Sequence, residues 1–182
     1  MPASRFVDLG NVLDAIRGRR SVRAYLSKDV PDATVETLLD CARWAPSAGN
    51  LQPWEFVVVR GPERKRGLAE AALGQSFIEE APVVIVVCAS PGRSAIRYGN
   101  RGSLLYCLQD TAAAAQNIHL AARALGLATC WVGAFDESSV ASVLKLPEGI
   151  RPVAIIPVGY PEEQPSPPSK RRLSETVHKE EF

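Results

Sequence analysis

The sequence predicts a single α+β domain followed by an extended C-terminal arm. Three observations carry that expectation. Helix-period apolar stripes alternate with short β-branched runs through residues 1–160. One run, Pro82 to Ala89, is apolar on both faces, as a central buried strand must be. Residues 161–182 then change character, with four prolines and nine charges but only three large apolar side chains, Leu173, Val177 and Phe182. Such a tail builds no core of its own and is either disordered or docked on something else. A chain of 182 residues is the size of one domain, and folding it buries about 70% of the surface the unfolded chain exposes.

Each element has a local cause. Val12, Leu13 and Ile16 lie at helical spacing in residues 7–17, and Gly18 stops that helix before an extended segment, Ser21 to Tyr25. Pro31 opens a second helix, whose stripe is Val35, Leu38, Leu39 and Ala42, and Pro46 ends it. Pro46 to Pro53 reads as a polar turn leading into a strand, Trp54 to Val59. A weaker helix follows at 62–73. After the central strand, Ser90 to Gly102 reads as a polar loop holding Arg93, Arg97 and Arg101. A long helix is expected from Ser103 to Leu125, Ala-rich in the middle and closed by Gly126. Leu127 to Val132 reads as a strand, Asp136 as the N-cap of a helix to about Lys145, and Val153 to Val158 as a last strand.

Charge and composition exclude several functions. Lys plus Arg number 21 against 20 Asp plus Glu, a net charge of +1, which argues against a nucleic-acid binder but leaves room for a local basic pocket. No apolar run approaches the ~18 residues of a membrane span, and no basic-then-apolar leader is visible at the N-terminus. Cys41, Cys88, Cys107 and Cys130 are far apart, as are His119 and His178, so no metal site is expected. The cysteines sit in apolar stretches and are expected to be buried, reduced thiols, which suits the cytoplasm. His119 is expected on the helix surface or at an interface. Trp44, Trp54 and Trp131 are expected as core or interface anchors.

The phosphate-cradling G-x-G-x-x-G and G-x-x-x-x-G-K-[ST] patterns are missing, as is G-x-S-x-G. No side chain is marked as catalytic; if the protein is an enzyme, a cofactor carries its chemistry. Two basic clusters remain. Arg19-Arg20-Ser21-Val22-Arg23 follows the first helix, and Lys170-Arg171-Arg172 lies in the arm. They are either two solvated runs or one set of donors for a phosphate. The turn Pro46-Ser47-Ala48-Gly49-Asn50-Leu51-Gln52-Pro53-Trp54 is rich in amides and hydroxyls and reads first as a plain structural turn, with a binding loop as the alternative.

Taken in order, R-R-S-x-R, then A-P-S-x-x-N-x-Q-P-W, Gln109-Asp110, Gln116-Asn117, Gly126 to Gly133 and Pro157 to Pro161 resemble the nitroreductase family of FMN-dependent oxidoreductases. The likeness spans nearly the whole chain. It implies a three-layer α/β/α fold with a mixed, mainly antiparallel central sheet, and a homodimer with flavin sites at the interface. Residues 1–160 would be the FMN-binding domain, and 161–182 an arm of the same domain wrapping the partner subunit.

The resemblance also implies residue roles. Arg19, Arg20 and Ser21 match the motif that holds the FMN phosphate and ribityl chain, and Arg23 the residue reaching the flavin's pyrimidine edge. Pro46, Ser47, Ala48 and Asn50 match the turn that contacts flavin from the partner chain. Lys170 and Arg172 match the basic pair that completes the phosphate site. Gly133 and Ala134 match a segment whose backbone faces flavin N5. The implied activity is ping-pong electron transfer from NADH or NADPH to a small acceptor such as a nitroaromatic or quinone. Flavin reduction, dehalogenation or other specialised flavin chemistry is the alternative on the same fold, as is a non-catalytic FMN-binding protein. Arg93, Arg97 and Arg101 meet either the phosphates of the nicotinamide donor or only solvent; Gln75, Tyr98 and Tyr106 are further candidates to line the site.

Overall fold

Seven successive residues of the central strand, Val83–Ala89, are completely buried, and the fold is arranged around them. The computed structural model describes residues 12–182, so the part of the first helix expected before Val12 lies outside the described residues. The elements run α1 (Val12–Gly18), α2 (Asp32–Arg43), β1 (Trp54–Val59), α3 (Pro62–Ala71), α4 (Phe77–Glu80), β2 (Val83–Ala89), α5 (Pro91–Arg101), α6 (Cys107–Ala124), β3 (Ala128–Thr129), α7 (Glu137–Leu144) and β4 (Arg151–Gly159).

The strands form one sheet in the order β1-β2-β4-β3, every neighbouring pair antiparallel. A parallel bridge between Ser21 and Thr129 adds the 21–25 strip beside β3, which makes the sheet mixed. The pleat of β2 sends alternate side chains to opposite faces. Val84, Val86 and Cys88 join Leu68, Ile78 and Val140 from α3, α4 and α7. Val83, Ile85 and Val87 join Leu38 of α2 and Ala114, Ala115 and Ile118 of α6 on the other face. The three layers and the mainly antiparallel sheet are those expected. Alanines 114 and 115, fully buried, let the backbone of α6 lie close to the sheet.

Asp136 caps α7 as expected, its carboxylate accepting the Ser139 amide at 2.7 Å. Three expectations need correction. Ser90 to Gly102 is not a loop: Pro91 starts α5 at its first turn, and a π-helical turn, Gly102–Tyr106, joins it to α6. Arg93 and Arg97 fall four residues apart before a kink at Gly99, and Arg101 follows it, so no apolar stripe betrays the helix in the sequence. The strand expected from Leu127 to Val132 pairs only at Ala128–Thr129, with Val132 returning as a single bridge to Ile155. His119 is on neither a surface nor an exposed face but 1% exposed between α6 and β3. Trp54 is core, whereas Trp44 is 74% exposed at the end of α2. All four cysteines are free; Cys88, Cys107 and Cys130 are buried and Cys41 is half-buried. Among the described residues no helix is long and apolar enough to cross a membrane.

The arm leaves β4 at Tyr160 and runs exposed from Ser169 to Phe182, with one 3-10 turn at Leu173–Glu175.

Candidate functional site

The basic strip and the arm meet. A cleft of about 560 Å³ lies between them, bordered by Arg19, Arg20, Ser21 and Arg23 on one side and by Pro165 and Lys170 on the other. Two clusters separated by about 150 positions in the chain therefore face one space. The strip is tied to the sheet near both of its ends. The Val22 amide donates to the Thr129 carbonyl at 3.1 Å, and the Leu26 amide to the Tyr160 carbonyl at 2.9 Å. Beneath it, the buried Tyr25 hydroxyl donates to the Val22 carbonyl at 2.7 Å, and burial pushes that phenol's pKa far above its ordinary value.

The donors are not equivalent. Arg20 folds back, giving its guanidinium to the carbonyls of Arg17 and Arg19 at 2.7 and 2.9 Å, which satisfies the open end of α1. The Arg19 guanidinium has no carboxylate partner within ion-pairing distance among the described residues. Arg23 lies over the Phe77 ring, 5.8 Å from its centroid. Arg172 is turned away from the cleft into a 3.2 Å ion pair with Glu175, so only Lys170 of the expected arm pair faces the strip.

A second cavity, about 290 Å³, opens behind the strip, where Arg19 and Arg20 meet His119, Arg123 and Glu163. His119 Nδ1 is 2.7 Å from the Thr129 hydroxyl, and the indole of Trp131 stacks on its ring at 5.6 Å. Burial, helped by the charge of Arg19, pushes its pKa down to about 4, so the imidazole is neutral at pH 7. Neither Glu163 nor Arg123 nor the burial of His119 carries a motif signal; each is defined by a contact across the sheet edge.

Phe77 also marks where the segment 133–134 belongs. Gln75, two residues before it, donates to the Ala134 carbonyl at 3.2 Å. Gly133 and Ala134 are exposed, and their amides donate to no protein group among the described residues. They are open to a ligand, on the same side of the sheet as Arg23.

The turn at 46–52 lies elsewhere. The Ala48 amide donates to both carboxylate oxygens of Asp110, each at 3.2 Å, and the Gln52 amide to Ser47 Oγ at 3.0 Å. Asp110 is buried, and that burial raises its pKa against the opposing pull of the Ala48 amide. Gly49 is favoured: its φ is +57°, and a Cβ there would stand 2.7 Å from the Tyr98 hydroxyl and 2.8 Å from Arg97 Nη1, both of which would have to move. Arg93 completes the clamp by donating to the Leu51 carbonyl. Arg93 thus bonds to the turn and Arg97 packs beside Gly49, while Arg101 donates to the Tyr106 hydroxyl at 2.9 Å. Pro46 and Asn50 remain exposed, with Ser47 and Ala48 half-buried.

Helix α6 measures the distance between the two halves. Asp110 in its first turn holds the 46–50 turn, and Arg123 in its last turn lies against Gly18, just before the strip. Thirteen residues at ~1.5 Å each separate these contacts by roughly 20 Å. One chain therefore presents the strip and the turn at opposite ends of its longest helix. Exposed apolar side chains cluster near the turn, Trp44, Ile96 and Leu104 being 74%, 87% and 72% exposed.

A family model described as the nitroreductase family matches residues 16–76 and 71–160. A protein of Methanothermobacter thermautotrophicus carrying the provisional name NADH dehydrogenase/NAD(P)H nitroreductase is 37% identical over 159 residues, covering 85% of this chain and 80% of that one. An NADH dehydrogenase of Thermus thermophilus is 33% identical, covering 87% of this chain and 91% of its own length. Among solved structures, the NADPH:FMN oxidoreductase of Vibrio harveyi, complexed with NAD+, superposes with a TM-score of 0.87 at 25% identity, over 95% of this chain and 78% of that one.

Proposed function

The chain belongs to the nitroreductase family, and we propose on that footing that it is an FMN-dependent NAD(P)H oxidoreductase reducing nitroaromatic, quinone or similar small acceptors. The cleft of about 560 Å³ between Arg19, Ser21, Arg23 and Lys170 carries the reading. Arg19, Lys170 and Ser21 bring a guanidinium, an ammonium and a hydroxyl to one space, a set that suits a phosphate monoester, and Arg23 adds a second guanidinium farther along the strip. FMN fits that donor set, and when bound it supplies two-electron chemistry by accepting electrons from NAD(P)H and passing them on in ping-pong fashion.

The chain's own residues then have defined duties. Arg19, Ser21 and Lys170 hold the phosphate, and Arg172 joins them by exchanging Glu175 for it. Arg23, kept in place by the Phe77 ring, sets a positive charge at the electron-accepting end of the cofactor, where it favours the reduced state. The open amides of Gly133 and Ala134 face the same end. None of these residues has to transfer a proton, in keeping with a site whose one buried imidazole is neutral at pH 7.

The roughly 20 Å between the strip and the 46–50 turn supports a homodimer. A partner would lay its Pro46, Ser47, Ala48 and Asn50 over this chain's strip, and the exposed Trp44, Ile96 and Leu104 would be covered in the process. The arm, residues 161–182, would wrap that partner as an extension of the 1–160 domain. The four free thiols suit the reducing cytoplasm.

The deciding experiment is a visible spectrum of the purified protein with anaerobic addition of NADH and, separately, NADPH. A flavin spectrum that bleaches with one donor is expected. A colourless protein that takes up no added FMN would end the proposal, and bound flavin that neither donor bleaches would reduce it to a binding protein.

A further inference from the structure

Glu163 stands where the strip and the arm part. Up to that point they pair as strands: Tyr25 bridges Pro161, and the Glu162 amide donates to the Ala24 carbonyl at 3.0 Å. At the next position a side chain replaces the ladder, and the Arg23 amide donates to Glu163 Oε1 at 2.5 Å. Beyond it the arm's hydrogen bonds and ion pairs, among the described residues, close within the arm. Arg171 and Arg172 engage Glu175, and Thr176 donates back to Arg172 and Leu173. Among the described residues, the carboxylate of Glu163 is thus the last polar tie between arm and domain. Lys170, seven residues later, nevertheless faces the cleft opposite Arg19 and Ser21.

We propose that Glu163 is a positioning residue for the cofactor cleft: its hydrogen bond to the Arg23 amide latches the arm so that Lys170 faces the strip. The proposal rests on the reading of that cleft as the FMN phosphate site. The latch needs an acceptor atom, which a glutamine also offers. The negative charge does something different, because Glu163 lines the smaller cavity with Arg19 and Arg20 and offsets part of the positive field meant for the phosphate. Bond and charge therefore push FMN affinity in opposite directions. A residue that only stabilised the fold would show no such split.

The test compares FMN dissociation constants of wild type, E163Q, E163A, K170A and E163A/K170A, with amide hydrogen exchange across residues 22–24 and at Glu162 and a thermal midpoint for each. E163A is expected to weaken FMN roughly 10- to 100-fold, the loss of one hydrogen bond to a charged group. E163Q should bind FMN at least as tightly as wild type. The double variant should lie within about twofold of E163A, because without the latch Lys170 no longer faces the cleft. Exchange at the Arg23 and Glu162 amides, both hydrogen-bonded across the latch, should accelerate in E163A and not in E163Q. E163A within twofold of wild type, E163Q more than threefold weaker than wild type, or fully additive effects of E163A and K170A would each overturn the latch. If wild type binds no FMN, it is the cofactor reading that fails. Exchange alone then judges the latch: acceleration in E163A upholds it, and unchanged exchange overturns it.

Discussion

His119 and Thr129 share a 2.7 Å hydrogen bond inside the protein, and the Thr129 carbonyl in turn accepts the amide of Val22 in the strip that borders the cleft. A neutral imidazole on α6 thereby supports a basic segment lying across β3. Its neutrality is imposed by burial and by the nearby charge of Arg19, which together take the pKa down to about 4.

That depression makes stability depend on pH. The unfolded chain protonates His119 near pH 6.5, whereas the folded chain resists until about pH 4. Between those values the unfolded state binds more protons, so unfolding becomes easier as pH falls. The full contribution is present above pH 6.5, and roughly 3 kcal/mol of it is gone at pH 4. Urea midpoints of wild type and H119Q at pH 7 and pH 5 check this. The wild type should lose about 2 kcal/mol more than H119Q over that interval, and parallel losses would contradict the assignment.

Gly49 allows the 46–52 turn to lie under α5. G49A places a methyl at φ +57° against the Tyr98 hydroxyl and Arg97. A destabilisation of about 1–3 kcal/mol is expected from strain and displacement of the clamp. FMN affinity should fall with it if the turn reaches a partner's flavin. Thermal unfolding and flavin titration of the same preparation measure both; unchanged values would show the turn to be tolerant.

Arg19 and Arg20 are neighbours with different duties. R19A removes a guanidinium facing the cleft and should weaken FMN roughly 10- to 100-fold. R20A removes a side chain committed to the carbonyls of Arg17 and Arg19. It should leave FMN binding within about threefold while lowering stability by about 1 kcal/mol through the lost cap. Titration of apo-protein with FMN distinguishes them, and equal losses would place Arg20 in the phosphate site as well.

Deleting residues 165–182 removes Lys170 and most of the arm. If the arm wraps a partner, flavin affinity and dimer strength should fall together, as analytical ultracentrifugation and flavin fluorescence would show. A truncated chain that stays dimeric and keeps its flavin would refute the wrapping role.

Much of this was legible in one dimension because its cause is local. The buried strand Val83–Ala89 announces itself by an unbroken apolar run, α2 by its stripe, and α7 by the Asp136 cap, which sits where its type requires. The nitroreductase fold followed from short motifs kept in order. Helix α5 escaped because its spacing is polar; arginines four residues apart look like a solvated loop until the Gly49 turn is found beneath them. His119 escaped for a related reason, since a lone histidine on a helix carries no sign of the β3 hydroxyl and the tryptophan that enclose it.

The sequence by itself determined most of the helices and strands, α5 excepted, that one sheet is central, and that two basic clusters exist, because propensity, periodicity and capping act within a few residues. Only the tertiary structure decided that Lys170 faces Arg19 while Arg172 and Arg20 turn away. It also decided that Glu163 ends the pairing of strip and arm, and that the 46–50 turn lies at the far end of α6. Arg20 and Arg172 are turned by partners one to three residues away, but the other outcomes depend on which side chains meet across 60 to 150 positions of chain, and contacts of that range are set by the packing of the layers rather than by any residue's neighbours in sequence.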